Sequence, residues 1–349
     1  MVKIIVWDSV GNVLWGLRHD KMRMDWLRPD DPAALANAPT FEELFADYDV
    51  TLVECSTVEE VEAQIADADF LNLHKVTLPA EVLLKGKNLR LVQHLGLDAR
   101  GVPMDAAKAL GVMVTATPLV NYVAVAEHNW ALILAHFKSL RRQERHMRER
   151  RYMDEGWGAP PSLRIALACD QTLGLVGFGE IARPMARYAA AFGMKTLYWD
   201  IRRFPELESA YSVEYVEWDD LWRRADIVSV QLPITDATHK IVGAREIGMM
   251  KPTALFVNTA RGKLVDQPAL LAALEARKIG GAALDVFYDE PLPVDDPLHA
   301  LHEDIDMNVL LTSHSAWQGH WTHVRDSLGI WLNVLRVLRG EAVEHRIDG

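Results

Sequence analysis

The run Leu173-Gly174-Leu175-Val176-Gly177-Phe178-Gly179-Glu180-Ile181-Ala182 constrains the fold of this chain more than any other stretch. An apolar lead-in of this kind reads as a buried strand, and the glycines after it read as a tight turn into a helix. Gly177-x-Gly179-x-x-Ala182 is the glycine pattern of a dinucleotide-binding βαβ unit. Gly177 would make the turn, Gly179 would let backbone approach a pyrophosphate, and Ala182 would permit close helix–strand packing. Phe178, Glu180 and Ile181 complete the turn, whose free N–H groups and helix dipole suit phosphate. The motif lies near the middle of 349 residues, so a stretch of domain size precedes it.

The rhythm on either side extends the reading. Before the motif, short apolar runs at Lys3–Trp7, Val50–Glu54, Asp69–Leu73, Leu89–Leu95 and Val112–Ala116 alternate with helical patterns such as Thr57–Ala66 and Met104–Leu110. Gly111 stands where a helix C-cap is expected. A single helix is predicted over Val120–Met147, with an apolar first part and a basic end (Arg141, Arg142, Arg145, Arg148) that suits a solvated face or an intersubunit or anion contact. Gly156–Pro161 reads as loop. After the motif, strands are expected at Lys195–Trp199, Ile227–Leu232, Ala254–Asn258, Ala282–Val286 and Val309–Thr312. A final amphipathic helix is expected over Trp321–Leu338. This alternation predicts an α/β protein of two doubly wound parallel-sheet domains. Residues 1–117 with 318–349 would form one, and 118–317 the other.

Composition excludes several classes. The formal net charge of -12 argues against a nucleic-acid partner. No apolar run is long enough for a membrane helix, and the N-terminus lacks a signal-peptide layout, so a cytoplasmic protein is expected. Cys55 and Cys169 have no metal-ligand spacing and read as two buried free thiols.

Four positions beyond the glycines carry chemistry. Asp200 ends the second strand of the nucleotide unit, where a carboxylate accepts hydrogen bonds from ribose hydroxyls and repels a 2′-phosphate. That favours NAD over NADP, although Arg202 and Arg203 nearby are the residue type that accommodates a 2′-phosphate. Arg261, Glu290 and His314 each lie just past a predicted strand, and ligands of doubly wound sheets bind outside the carboxyl ends of strands. Hydride transfer to or from a C–O carbon needs a proton moved on or off oxygen. Histidine suits that task, a carboxylate beside it orients it, and an arginine offers a fork for a substrate carboxylate.

With Leu232-Pro233-Ile234-Thr235, Met250-Lys251-Pro252, Asn258–Val265 and Gly281–Pro291, these residues resemble the D-isomer-specific 2-hydroxyacid dehydrogenase family. The resemblance runs through most of the chain and is strongest from Thr172 to Trp317. It implies a flavodoxin-like substrate domain joined to a Rossmann domain, NAD as cofactor, a 2-keto or 2-hydroxy acid as substrate, and a homodimer. By position it makes Arg261 the substrate binder, Glu290 the support of the histidine, and His314 the acid/base. Asp285 would face the nicotinamide amide, and Pro233 and Thr259 would line the cofactor. His74, Lys75, Gly96, Leu97 and Trp317 are the candidates for substrate contact.

The chain departs from the family pattern at Leu95–Pro103, where one glycine and two customary aspartates are replaced. It departs again at Ser313, where a proline usually precedes the histidine, and at Trp317. Trp317 resembles glycerate or hydroxypyruvate dehydrogenase-type members and also the C-terminal-binding corepressors of this fold. A reductase of 2-keto acids, of glyoxylate/hydroxypyruvate reductase or phosphoglycerate dehydrogenase type, and an NAD(H)-binding regulator are therefore the two main readings, and the altered Gly96–Pro103 loop adds a third, a reaction on a non-carboxylate substrate.

Overall fold

The computed structural model describes residues 1–8, 41–96, 99, 101–117, 121–150, 166–318 and 322–348, with the side chains of 322–328 left aside. The chain divides into two compact units, Met1–Asn121 with Gly319–Gly349, and Tyr122–Gln318.

The first unit holds five parallel strands: β1 (Val2–Asp8), β2 (Val50–Cys55), β3 (Phe70–His74), β4 (Leu91–Leu95) and β5 (Met113–Thr117). Their order is β2-β1-β3-β4-β5, the flavodoxin-like winding. β3 and β4 are buried at every residue, as a sheet covered on both faces requires. Val61, Val82, Leu83 and Ala107 cover one face, and Ile330, Trp331 and Val334 of the terminal helix Thr322–Arg339 cover the other. The helix Met104–Leu110 stops at Gly111 in a left-handed C-cap.

The second unit holds seven: β6 (Thr172–Val176), β7 (Lys195–Trp199), β8 (Val213–Tyr215), β9 (Ile227–Val230), β10 (Leu255–Asn258), β11 (Gly281–Leu284) and β12 (Val309–Leu311). The order is β12-β11-β10-β9-β6-β7-β8, all parallel. The winding reverses at β6, so the crevice between the carboxyl ends of β6 and β9 is the switch point where such sheets take ligands. Alternation along β6 feeds both faces. Leu173 and Leu175 pack with Trp130, Ile133 and Met185, while Gly174 lets Leu221 and Ala225 approach so closely that an added Cβ would lie 2.8 Å from the Ala225 Cβ.

Three expectations change. The long helix breaks into Asn121–Phe137 and Leu140–Arg148, because Ser139 turns left-handed (φ +46) where the buried apolar segment gives way to the charged one. Its basic end is also only partly solvated. Arg141 donates to the carbonyls of Val309 (2.7 Å) and His302 (2.6 Å), tying the second helix to the end of the sheet. Both thiols are free, but only Cys55 is buried, which raises its pKa; Cys169 is exposed. β8 was not expected, being three residues with one buried side chain. The Gly156–Pro161 loop lies outside the described residues. Among those described, no helix is long and apolar enough to cross a membrane.

His136, near the end of the first of these helices, lies 2.8 Å (Nδ1) from the side-chain amide of Asn308, and burial pushes its pKa down to about 4. Unfolding releases an imidazole that titrates near 6.5. Between these values the unfolded chain binds more protons, so stability is full above pH 6.5 and falls as pH drops towards 4. His136→Gln is expected to remove part of that fall, on the order of 3 kcal/mol at most. Denaturant midpoints of the two proteins at pH 7 and pH 4.5 measure it.

Candidate active site

The glycine turn is built as its sequence demands. Gly177 follows β6 with φ +97, and a Cβ there would sit 2.6 Å from the Gln231 carbonyl oxygen, so no other residue fits without movement. Gly179 differs: a Cβ would meet nothing within 4 Å, leaving open space over the backbone. The phenyl ring of Phe178 is buried against Tyr198, with centroids 4.4 Å apart, so only its backbone belongs to the turn surface. Its N–H donates to Asp200 Oδ2 (2.8 Å), which fixes the acidic residue beside the turn. Ile181 leads directly into the helix Ala182–Ala191, and Glu180 pairs with Arg183 (2.7 Å). The close-packed Gly177, the open Gly179 and the anchored carboxylate fit a dinucleotide: phosphates at the turn, ribose at Asp200.

Arg202 and Arg203 are both engaged. Arg202 reaches Glu206 (3.2 Å), and Arg203 grips Glu208 through two bonds of 2.7 and 2.9 Å. That grip holds the Glu208 carboxyl below its usual range.

Arg261, Asp285, Glu290 and His314 follow β10, β11 and β12, which are neighbours, so all four leave the same end of one sheet. Asn258 shapes the first loop, accepting from the Ala260 N–H (3.0 Å) and donating to the Arg261 carbonyl (2.9 Å). The exposed Arg261 guanidinium makes a bond to the Ala260 carbonyl (2.6 Å). Gly262 brings this loop against the next: an added Cβ would fall 1.8 Å from the Phe287 carbonyl oxygen.

Glu290 Oε1 accepts from the Phe287 N–H (3.0 Å), and its Oε2 lies 2.9 Å from His314 Nδ1. A carboxylate only accepts, so Nδ1 carries the hydrogen and Nε2 is the nitrogen left to exchange a proton. Both side chains are partly exposed, 43% for His314 and 36% for Glu290, so the imidazole is reachable. His314 has φ +51, an uncommon conformation for a residue with a Cβ. Trp317 folds back to donate from its indole to the His314 carbonyl (3.0 Å). Asp285 is completely buried, and its carboxylate takes the N–H groups of Ser315 (3.0 Å) and Ala316 (2.8 Å).

Sequence reasoning missed a polar knot at the ends of β9 and β10. Asn129, on the buried face of the helix Asn121–Phe137, donates to Thr259 Oγ1 (2.7 Å), while Ser229 and Gln231 donate to its Oδ1 (3.2 and 3.3 Å). One polar residue in an apolar helical face was the available signal. Pro233 follows on the same side, its carbonyl accepting from Thr238 (2.7 Å).

The remaining candidates lie in the first unit. Lys75 is exposed just past β3 with φ +53, beside a buried His74–Asp8 pair (2.9 Å). Gly96 follows β4 with φ +96. Leu97 lies outside the described residues.

The family model described as "D-isomer specific 2-hydroxyacid dehydrogenase, NAD binding domain" matches residues 130–316, more than half the chain. The chain belongs to this dehydrogenase family. It is an NAD-linked oxidoreductase of 2-hydroxy acids, with the two-sheet α/β fold that its sequence predicts. It is 36% identical over 282 residues to the glyoxylate reductase of Korarchaeum cryptofilum, covering 80% of this chain and 82% of that one. It is 35% identical over 273 residues to the glyoxylate reductase of Aeropyrum pernix, covering 78% and 80%. The D-lactate dehydrogenase of Lactobacillus jensenii, solved with NAD+, superposes with a TM-score of 0.66 at 26% identity, covering 99% of each chain. These relatives of the dehydrogenase are enzymes, in keeping with the reductase rather than the corepressor reading.

Two glycine substitutions separate folding from binding. Gly179→Ala is expected to leave the melting temperature unchanged and to weaken NADH at least tenfold, because its methyl enters only the space over the backbone. Gly177→Ala is expected to lose both. Thermal melts with nicotinamide fluorescence titrations read the two effects.

Proposed function

We propose that this chain reduces small 2-keto acids, glyoxylate foremost, with NADH as the preferred donor. The observation that carries the reading is the His314–Glu290 pair at the carboxyl end of β12, on the same sheet end as the Gly177–Ala182 turn. The similarity to two glyoxylate reductases supports the substrate class.

A nicotinamide, when bound, supplies or accepts the hydride. His314 Nε2 holds the proton for the substrate oxygen, and Glu290 on Nδ1 fixes the ring and stabilises its charged form. Arg261 grips the substrate carboxylate and polarises the adjacent carbonyl. Lys75 and Gly96, with Leu97, are read as the substrate contacts of the first unit, which makes residues 1–117 with 318–349 the substrate domain and 118–317 the nucleotide domain. Trp317 is read as a further wall of the substrate site. Pro233, Thr259 and Asp285 are read as cofactor contacts.

Preference for NADH over NADPH rests on Asp200, whose carboxylate repels a 2′-phosphate, and on Arg202 and Arg203 being engaged by Glu206 and Glu208. The exposed Leu140 and Met147, seven residues apart on one helix, support a homodimer. Sedimentation velocity tests the dimer.

A panel of 2-keto acids with NADH and NADPH, read by nicotinamide absorbance, tests the activity. Glyoxylate and hydroxypyruvate should be reduced, faster with NADH. His314→Ala should lower turnover by about 10²–10⁴-fold, the usual worth of a general acid. NADH binding should persist in that variant. Binding of NADH without reduction of any 2-keto acid would instead favour a regulatory role.

A further inference from the structure

Two side chains outside the reacting set meet behind His314. Thr312 Oγ1 lies 2.5 Å from Asp285 Oδ1, and His128 Nε2 lies 3.0 Å from Thr312 Oγ1 and 3.6 Å from the same carboxylate oxygen. The directions of these bonds follow from the groups. A carboxylate has no hydrogen to give, so the Thr312 hydroxyl donates to Asp285. That hydroxyl has a single hydrogen, so towards His128 it can only accept, and Nε2 of His128 must carry its hydrogen. The chain of donors therefore runs one way, His128 to Thr312 to Asp285.

The end of this chain is what matters for the reaction. Asp285 is fully buried and holds the main-chain N–H groups of Ser315 and Ala316. One carboxylate thus binds residues on both sides of His314: Thr312 before it, Ser315 and Ala316 after it. His314 itself stands in the left-handed region, a conformation that persists only where surrounding contacts over-determine it. Glu290 orients its ring, but Glu290 leaves the loop after β11 and touches no part of the His314 backbone among the bonds described.

We propose that His128 and Thr312 are positioning residues of the hydride-transfer site, acting through Asp285 to hold the backbone of His314. This rests on His314 as the acid/base group. Misplacement of a reacting group by about 1 Å costs around a hundredfold in rate, so a loosened loop should be read in turnover before binding.

The test uses four variants of the full chain. Thr312→Val keeps the shape and removes the hydroxyl; it should lower kcat for glyoxylate at least tenfold, a larger factor than any weakening of NADH. Thr312→Ser restores the hydroxyl and should recover kcat to within threefold of the parent. His128→Ala should lower kcat several-fold, and His128→Gln, which can still donate to Thr312, should recover part of it. Circular dichroism confirms that each variant is folded, and Thr312→Ser decides the matter if Thr312→Val is not. An independent measurement needs no activity: the ring resonances of His314 in ¹H–¹⁵N spectra should shift in Thr312→Val and return in Thr312→Ser. Unchanged kcat and unchanged His314 resonances in Thr312→Val would overturn the proposal. A parent protein that reduces no 2-keto acid would sink the functional reading alone, and the resonances would still decide the positioning role.

Discussion

Asp285 sits at zero exposure, and a carboxylate in such a place survives only where donors converge on it. Here the donors are the Thr312 hydroxyl and the N–H groups of Ser315 and Ala316, all from the segment that follows β12. The desolvation cost of one acid is thereby turned into a constraint on a loop. Because β11 supplies Asp285 and β12 supplies the loop, the parallel register of Ala282–Leu284 with Val309–Leu311 sets where His314 stands. The neighbouring close approach of Gly262 to Phe287 links the Arg261 loop to the Glu290 loop. Strand order, one buried charge and one missing Cβ together bring the polar side chains to a common edge.

The helix Asn121–Phe137 contributes more than cover for the sheet. Adjacent residues on it serve different strand ends: His128 meets the β11–β12 side, and Asn129 meets the β9–β10 side through Ser229, Gln231 and Thr259. Its apolar residues Ala126, Trp130 and Ile133 pack in one cluster with Leu173 and Leu175. One helix thus supplies both hydrophobic burial and polar joints to two pairs of strand ends, in a segment that sequence alone presents as plain core.

The parts of this molecule that follow from local chemistry were legible in the sequence. The glycine turn, Gly111 as a cap, Lys195–Trp199 as a strand and the alternation of the two halves all depend on residues close together in the chain. Asp200 was legible because its spacing from the glycines is fixed by one strand and one helix. Asn129 and His128 were not, because their partners lie about a hundred or more residues away and a polar residue in an apolar helix names no partner by itself. The break at Ser139 was also hidden, since both flanking segments have helical patterns and the turn arises where one is buried and the other is not. Arg141 shows the same limit: a basic run reads as solvated, yet this member ties down two distant carbonyls.

β12 is three residues long and lies at the edge of its sheet, with β11 as its one strand neighbour among the described residues. His314 hangs from that edge rather than from the buried centre where the glycine turn begins. Edge segments open at lower free energy than central ones. The two halves of the candidate site are therefore anchored at different depths in this molecule: the glycine turn shares the fate of the core, whereas His314 shares the fate of its margin. Warming or mild denaturant would loosen the segment that carries His314 while most of its sheet, and the Gly177–Ala182 turn with it, is still in place.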